Sequence, residues 1–110
     1  MTINYREEAV LAATTLAVDW QITVYDNVDM TRISLRFDTA PTTGGSVAIY
    51  KIPQNVTADK TLLIAESAVG ATTLTFENIQ GLIAGDVIEV TYANADARSI
   101  TGFATTYSGV

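Results

Sequence analysis

Residues 30–52, MTRISLRFDTAPTTGGSVAIYKI, contain two strand patterns separated by a break. From residue 31 to residue 37, small or apolar side chains alternate with polar ones, which is typical of a strand with one buried face and one face in water. Residues 46–52 are apolar on both faces, which predicts a central or covered strand. The inward set of the first strand is Thr31, Ile33, Leu35 and Phe37, and the outward set is Arg32, Ser34 and Arg36.

The break between the two patterns, residues 38–45, has the composition of a loop. Pro41 fixes its own φ and lacks an N–H donor, and it pushes Ala40 toward an extended conformation. Gly44 and Gly45 accept positive φ. We expect this segment to cross an open end of a β-sandwich. There it is either a plain connection or a contact loop that presents short polar groups to a partner.

Further strand patterns occur at regular spacing on both sides of this segment. They lie at residues 15–24, 61–66, 72–76, 86–94 and 99–107. The connections between them are too short for βαβ crossovers, so we expect antiparallel sheets. The sequence predicts an all-β fold, an antiparallel β-sandwich of about seven short strands that is Ig-like or jelly-roll-like. The predicted core contains Ile33, Leu35, Phe37, Ile49, Ile88, Val90 and Tyr92.

Residues 1–13 differ from the rest of the chain. They are predicted to be an N-terminal arm or a short helix, and residues 14–110 are predicted to be the sandwich domain. Asn4 and Glu7 have the spacing of a capping box, but a helix of two turns is stable only when it packs on something. The segment therefore docks on its own sandwich or on a neighbouring protein. Its candidate contact residues are Ile3, Tyr5, Val10 and Leu11.

The composition argues against several classes of function. The chain has 12 acidic and 6 basic residues and a net charge of -6, which disfavours binding to nucleic acid. It has no Cys and no His, so thiol catalysis, zinc thiolate sites and histidine general bases are excluded. No apolar run approaches the roughly 20 residues that span a bilayer, and the N-terminus does not fit a signal peptide. We expect a protein made and used without export.

Two groups of oxygen-bearing side chains could serve as Ca²⁺ ligands. One group is Asp26, Asn27 and Asp29, and the other is Asn94 and Asp96. Neither has the spacing of an EF-hand loop, and Asp and Asn are ordinary turn residues. We favour the turn interpretation and expect no metal or cofactor.

The other candidate side chains do not form a recognisable catalytic site. Four carboxylates lie near strands, but their spacing selects no pair for acid–base chemistry. The Ser and Thr residues have no histidine base, and no Gly-x-Ser-x-Gly motif is present. Trp20 and the five tyrosines could form a sugar-stacking surface, although the alternation around Trp20 favours a core position. We expect no enzyme activity. The four carboxylates are Glu66, Glu77, Asp86 and Glu89.

Two segments resemble small virion structural proteins of tailed bacteriophages. Residues 33–50, ISLRFDTAPTTGGSVAIY, are similar to a strand, an Ala-Pro-Thr-Thr loop and an apolar strand in those proteins. Residues 81–104, GLIAGDVIEVTYANADARSITGFA, resemble their C-terminal part, with a Gly-Asp turn and a strand that ends in Tyr-x-Asn. Residues 51–80 depart from the resemblance.

The resemblance implies a β-sandwich virion protein without catalytic residues. Our leading hypothesis is a capsid decoration (cement) protein that is made in the host cytoplasm and stabilises the outside of the head. Its expected partners are the major capsid protein and neighbouring copies of itself, and it is either a monomer or a trimer in solution. The alternatives are a tail, neck or fibre component with receptor or glycan contact, and a cellular carbohydrate-binding module. No nucleic acid or membrane is expected as a partner. The candidate contact residues in the loop are Thr39, Pro41, Thr42, Thr43, Gly44 and Gly45.

Overall fold

The computed structural model describes residues 5–27 and 30–108. These ranges contain eight strands and two short 3-10 turns, Pro53–Asn55 and Thr57–Asp59. Within them no helix has the length and apolar character needed to cross a membrane. The strands are β1 (Tyr5–Thr14), β2 (Val18–Thr23), β3 (Met30–Phe37), β4 (Ser46–Ile52), β5 (Thr61–Ser67), β6 (Thr73–Ile79), β7 (Val87–Tyr92) and β8 (Ile100–Ser108).

The strands form two antiparallel sheets of four. Sheet A has the order β1-β8-β3-β6, and sheet B has the order β2-β7-β4-β5. The ladders include β1 with β8, β2 with β7, β3 with β6, and β4 with β5. This pairing arises when one long antiparallel hairpin is rolled up, and it is the connectivity of a jelly roll. The predicted antiparallel β-sandwich is confirmed, and of the two suggested topologies the jelly roll is the one found.

Strand β1 accounts for the difference between the predicted seven strands and the observed eight. It begins at Tyr5, which pairs with Ser108, and it runs through residue 13 to Thr14. The short-helix alternative for this segment is therefore wrong over the described residues. A two-turn helix would satisfy few of its own backbone groups, whereas the extended chain bonds along β8. Ile3 and Asn4 lie outside the described residues.

Strand β2 is shorter than the pattern at residues 15–24 suggested. The chain bends after β1, where the Leu16 N–H donates to the Thr14 hydroxyl, and pairing with β7 begins only at Val18. From there the residues alternate between buried and exposed, with Val18, Trp20 and Ile22 inward. Strand β4 has β7 and β5 as neighbours, so its predicted central place is confirmed.

The core lies between the two sheets, and the prediction of its members is confirmed. All seven predicted core residues are buried, and Trp20 is buried with them. The Phe37 and Tyr92 rings meet edge to face, with centroids 5.8 Å apart. This contact joins the ends of β3 and β7 across the sandwich.

Gly102 in β8 marks a close approach of the backbone to the core. A Cβ atom at this position would lie 2.7 Å from the Trp20 ring and 3.0 Å from the Leu11 Cβ. Neither neighbour has room to retreat from the middle of the sandwich, because Trp20 is buried and Leu11 packs against the core. The absence of a side chain at Gly102 therefore lets sheet A close over Trp20.

Candidate functional site

The loops of the sandwich form two clusters, one at each end. The Asp96 end consists of residues 15–17, 38–45, 68–72 and 93–99. The Asp86 end consists of residues 24–27, 53–60 and 80–86, as far as the structure describes it. Hydrogen bonds join the loops within each cluster, and in each the most connected side chain is an aspartate.

The predicted contact loop is held by Asp96 from the neighbouring β7–β8 loop. The Asp96 Oδ2 atom accepts hydrogen bonds from the Thr42 and Thr43 amide N–H groups, both at 2.8 Å. The Thr43 hydroxyl donates to Oδ1. The Thr43 hydroxyl, with the two amides, holds the pKa of Asp96 well below its usual range. The carboxylate is therefore ionised at neutral pH and fixes the middle of the loop.

Further hydrogen bonds fix both ends of the same loop. The Asp38 Oδ1 atom accepts the Thr39 N–H at 2.8 Å and the Ser99 N–H at 3.0 Å. The Pro41 carbonyl accepts the Gly70 N–H at 2.9 Å, which joins the loop to the β5–β6 turn. Residues 38–45 are thus held by the loops on both sides.

The six predicted contact residues of the loop differ in exposure. Pro41 is buried and anchors the loop, whereas Thr39 and residues 42–45 are exposed. A Cβ atom at Gly44 would meet nothing within 4 Å, so the loop surface is open there. The loop therefore presents three threonines and two glycines on a fixed backbone.

The predicted contact residues of the N-terminal segment have different environments. Leu11 packs against the core, and Val10 is exposed on the outer face of sheet A. Tyr5 is at the far end of β1 from residues 15–17, so the structure does not bring it to the contact loop. Ile3 lies outside the described residues.

Asn94 has the turn role that its residue type suggested. It is buried with a φ of 53°, and its side-chain amide donates to the Leu16 and Arg98 carbonyls. Its Oδ1 atom accepts the Arg98 N–H at 2.9 Å. The oxygens of Asn94 and Asp96 thus face N–H donors. Among the described residues, no group of three or more acidic side chains is arranged to hold a metal ion, and Asp29 lies outside them.

Asp86 organises the opposite end of the sandwich from a buried position. Its side chain is 1% exposed, and it accepts the Gln54 N–H and the Ile83 N–H, each at 2.9 Å. The Lys51 ammonium lies 3.8 Å from Oδ2. Burial raises the pKa of Asp86, but these hydrogen bonds outweigh it and the net pKa is lowered. The sequence places Asp86 in a Gly-Asp turn and offers it as a candidate catalytic carboxylate, but it does not indicate this buried role.

The other three candidate carboxylates do not form a catalytic pair either. Glu77 bonds Arg32 on sheet A at 3.2 Å, and Glu66 is exposed. Glu89 is buried on the outer face of sheet B, where it pairs with Lys60 and accepts a hydrogen bond from the Gln21 amide at 3.0 Å. The Lys60 hydrogen bond is the main cause of the lowered pKa of Glu89. Each carboxylate thus has a structural partner or lies in water.

Trp20 is buried against Gly102 and is not available to stack on a ligand. This removes Trp20 from the sugar-stacking surface that was suggested for it and the five tyrosines. The chain matches no protein-family model, and no curated protein shows a significant match to it.

Proposed function

We propose that this protein is a structural component of a tailed-phage virion, and specifically a decoration protein that binds the outside of the capsid and stabilises it. The supporting observation concerns the two segments that resemble small phage virion proteins, residues 33–50 and 81–104. Although 30 residues separate them in the chain, β3 pairs with β8 and β4 pairs with β7. Asp96 also joins their loops. The resemblance therefore covers one contiguous part of the molecule.

The Asp96 end is the proposed contact with the major capsid protein. A loop that is already ordered loses little conformational entropy on binding, so more of the contact energy remains as affinity. Two apolar side chains from the neighbouring loops are also exposed there, Leu16 at 75% and Val69 at 47%. A modest interface of this kind is sufficient when a shell repeats it many times and copies also contact one another.

The test adds purified protein to heads that lack it and measures saturable binding by co-sedimentation, followed by imaging of the particles. We expect binding to the outside of heads. Localisation on tails or necks instead would replace the decoration role with the tail alternative, and no binding to any particle would overturn the virion proposal.

A variant pair locates the contact. Gly44→Glu places a charged side chain on the open surface of the contact loop, where a Cβ has free space, so the fold is retained and head binding is lost. Gln80→Glu makes the same change in net charge on the exposed surface of the Asp86 end and leaves head binding intact. Equal binding by the two variants would exclude the Asp96 end as the contact.

A further inference from the structure

The outer face of sheet A carries a shallow concavity of 370 Å³ over strands β8, β3 and β6. Its floor is made largely of hydroxyl-bearing side chains. An arginine stands toward each end of it on β3, and an aromatic ring borders it on β8. The lining side chains include Arg32, Ser34, Arg36, Thr75, Thr101 and Phe103. We name this feature the β3 concavity.

The charge of the β3 concavity contrasts with the rest of the chain. The protein has a net charge of -6 and only six basic residues, and two of the six line this one feature. Arg32 is paired with Glu77 at 3.2 Å. The Arg36 side chain is exposed and forms no ion pair or hydrogen bond with any other described residue. A guanidinium without an internal partner is suited to bind a carboxylate in a bidentate manner.

The ring of Phe103 gives the same concavity an apolar wall. The ring is 45% exposed although it lies on an interior strand, and Val10 lies opposite it on β1. On its other side the row continues to Ser34 and Thr75, whose hydroxyls are 3.2 Å apart. An exposed ring beside a row of hydroxyls fits a ligand that has both C–H faces and hydroxyl groups.

We propose that the β3 concavity binds an acidic saccharide, a sugar whose ring carries a carboxylate. The sugar ring stacks on Phe103, its hydroxyls bond to the Ser and Thr side chains, and its carboxylate binds Arg36. This site is separate from the proposed capsid contact, because it lies on the face of the sheet and not in the loops of the Asp96 end.

The position of the concavity favours a saccharide over an acidic peptide. Strands β8 and β3 are both interior strands of sheet A, so their backbone groups are already bonded to neighbouring strands. A peptide that binds by strand addition pairs with an edge strand, which in sheet A is β1 or β6, whereas the concavity is centred on the interior strand β3. Nucleic acid requires a row of cations along its phosphates, and this face supplies only Arg32 and Arg36. A ligand on this face is therefore recognised by side chains alone, which suits a ligand that is rich in hydroxyl groups.

The test is a titration of the isotope-labelled protein with an oligogalacturonate, followed by NMR chemical shifts. We expect saturable shifts at Arg36, Phe103 and Thr101. A neutral oligogalactoside of the same length should bind much more weakly, because it lacks the carboxylates. No shift in this face with the oligogalacturonate, equal binding of the neutral sugar, or preferred binding of an oligoglutamate peptide would each overturn the proposal.

Variants distinguish binding at the β3 concavity from attraction by net charge alone. Arg36→Gln should weaken oligogalacturonate binding roughly tenfold, the effect expected from one lost charge-assisted hydrogen bond. Phe103→Ala should weaken it as well, and Phe103→Tyr should retain binding because the ring is kept. Gln80→Glu has the same net charge as Arg36→Gln and should bind like the natural protein. Equal weakening by Arg36→Gln and Gln80→Glu would show attraction by net charge only and would overturn the assigned site.

Discussion

The two ends of the sandwich are each organised by one aspartate, but the two carboxylates differ in burial. Asp86 is almost completely buried, and Asp96 is partly exposed. Each accepts hydrogen bonds from two backbone N–H groups. For Asp96 both donors lie in a neighbouring loop, and for Asp86 one donor is in a neighbouring loop and the other is in its own loop. The two carboxylates therefore accept the same kind of hydrogen bond. They differ in whether water can replace the carboxylate as the acceptor once it is removed.

The Asp86 carboxylate is shielded from water, so removing it leaves a buried gap and two part-buried donors without their acceptor. At Asp96 water can replace the carboxylate, so the lost bonds cost little stability but release the loop. We infer that the Asp86 end contributes to the stability of the fold and that the Asp96 end contributes the order of a surface loop.

The largest loss of stability is expected when the aromatic contact beneath the Asp96 end is removed. Phe37→Ala removes a buried ring that packs on Tyr92, and it should lower the free energy of unfolding by about 3–5 kcal/mol. The measurement is chemical denaturation. Phe103→Ala, which removes a half-exposed ring from the outer face of sheet A, is the matched control and should cost much less. Equal losses would mean that Phe37 does not support the core.

The next effect concerns the buried carboxylate. Asp86→Ala leaves the Gln54 and Ile83 N–H groups without their acceptor, and it should lower the free energy of unfolding by about 3 kcal/mol. Asp26→Ala at the same end removes an exposed carboxylate that accepts the Asn27 N–H, and it should leave stability nearly unchanged. A small loss in the Asp86 variant would contradict the role assigned to burial.

A pH titration of stability should reflect the lowered pKa of Asp86. A carboxyl whose pKa is lower in the folded than in the unfolded protein stabilises the fold above its ordinary value of 3.8. That stability is lost as the pH falls through the lower, folded value. Asp86→Asn should therefore reduce the loss of stability on acidification, as followed by thermal melts between neutral pH and the acid limit. An unchanged acid dependence in this variant would show that Asp86 is not linked to folding.

The smallest expected effect on stability is that of Asp96→Ala. The carboxylate is partly exposed, and water is available to the released Thr42 and Thr43 groups. Its melting temperature at neutral pH should stay close to that of the natural protein, well above that of Asp86→Ala. A drop as large as that of the Asp86 variant would remove the distinction between the two ends.

The central strands were predictable from local patterns, because the side chains of β3 alternate with a period of two and β4 is a short run that is apolar on both faces. Strand β1 was not predicted. Its sequence, YREEAVLAAT, is rich in good helix formers, and its hydrogen-bonding partner β8 is about 95 residues away in the chain. The long-range ladder overrides the local preference. No local pattern contains that information.

The contact loop could be identified from Pro41 and the two glycines, but its support could not. Asp96 lies 53 and 54 residues beyond Thr43 and Thr42, and its residue type is equally common in free turns. For Asp86, the Gly85-Asp86 turn before a strand was the available signal. It located the turn but not the burial of the carboxylate, which depends on the packing of residues 53–60 against the same end.

Amide hydrogen exchange in Asp96→Ala tests the central claim most directly. We predict that the Thr42 and Thr43 amides exchange much faster than in the natural protein, because their acceptor is gone, while the Gln54 and Ile83 amides at the Asp86 end keep their protection. This result would show a loop ordered by one exposed carboxylate on an otherwise unchanged sandwich. Unchanged exchange at Thr42 and Thr43, or equal loss of protection at both ends, would contradict the account.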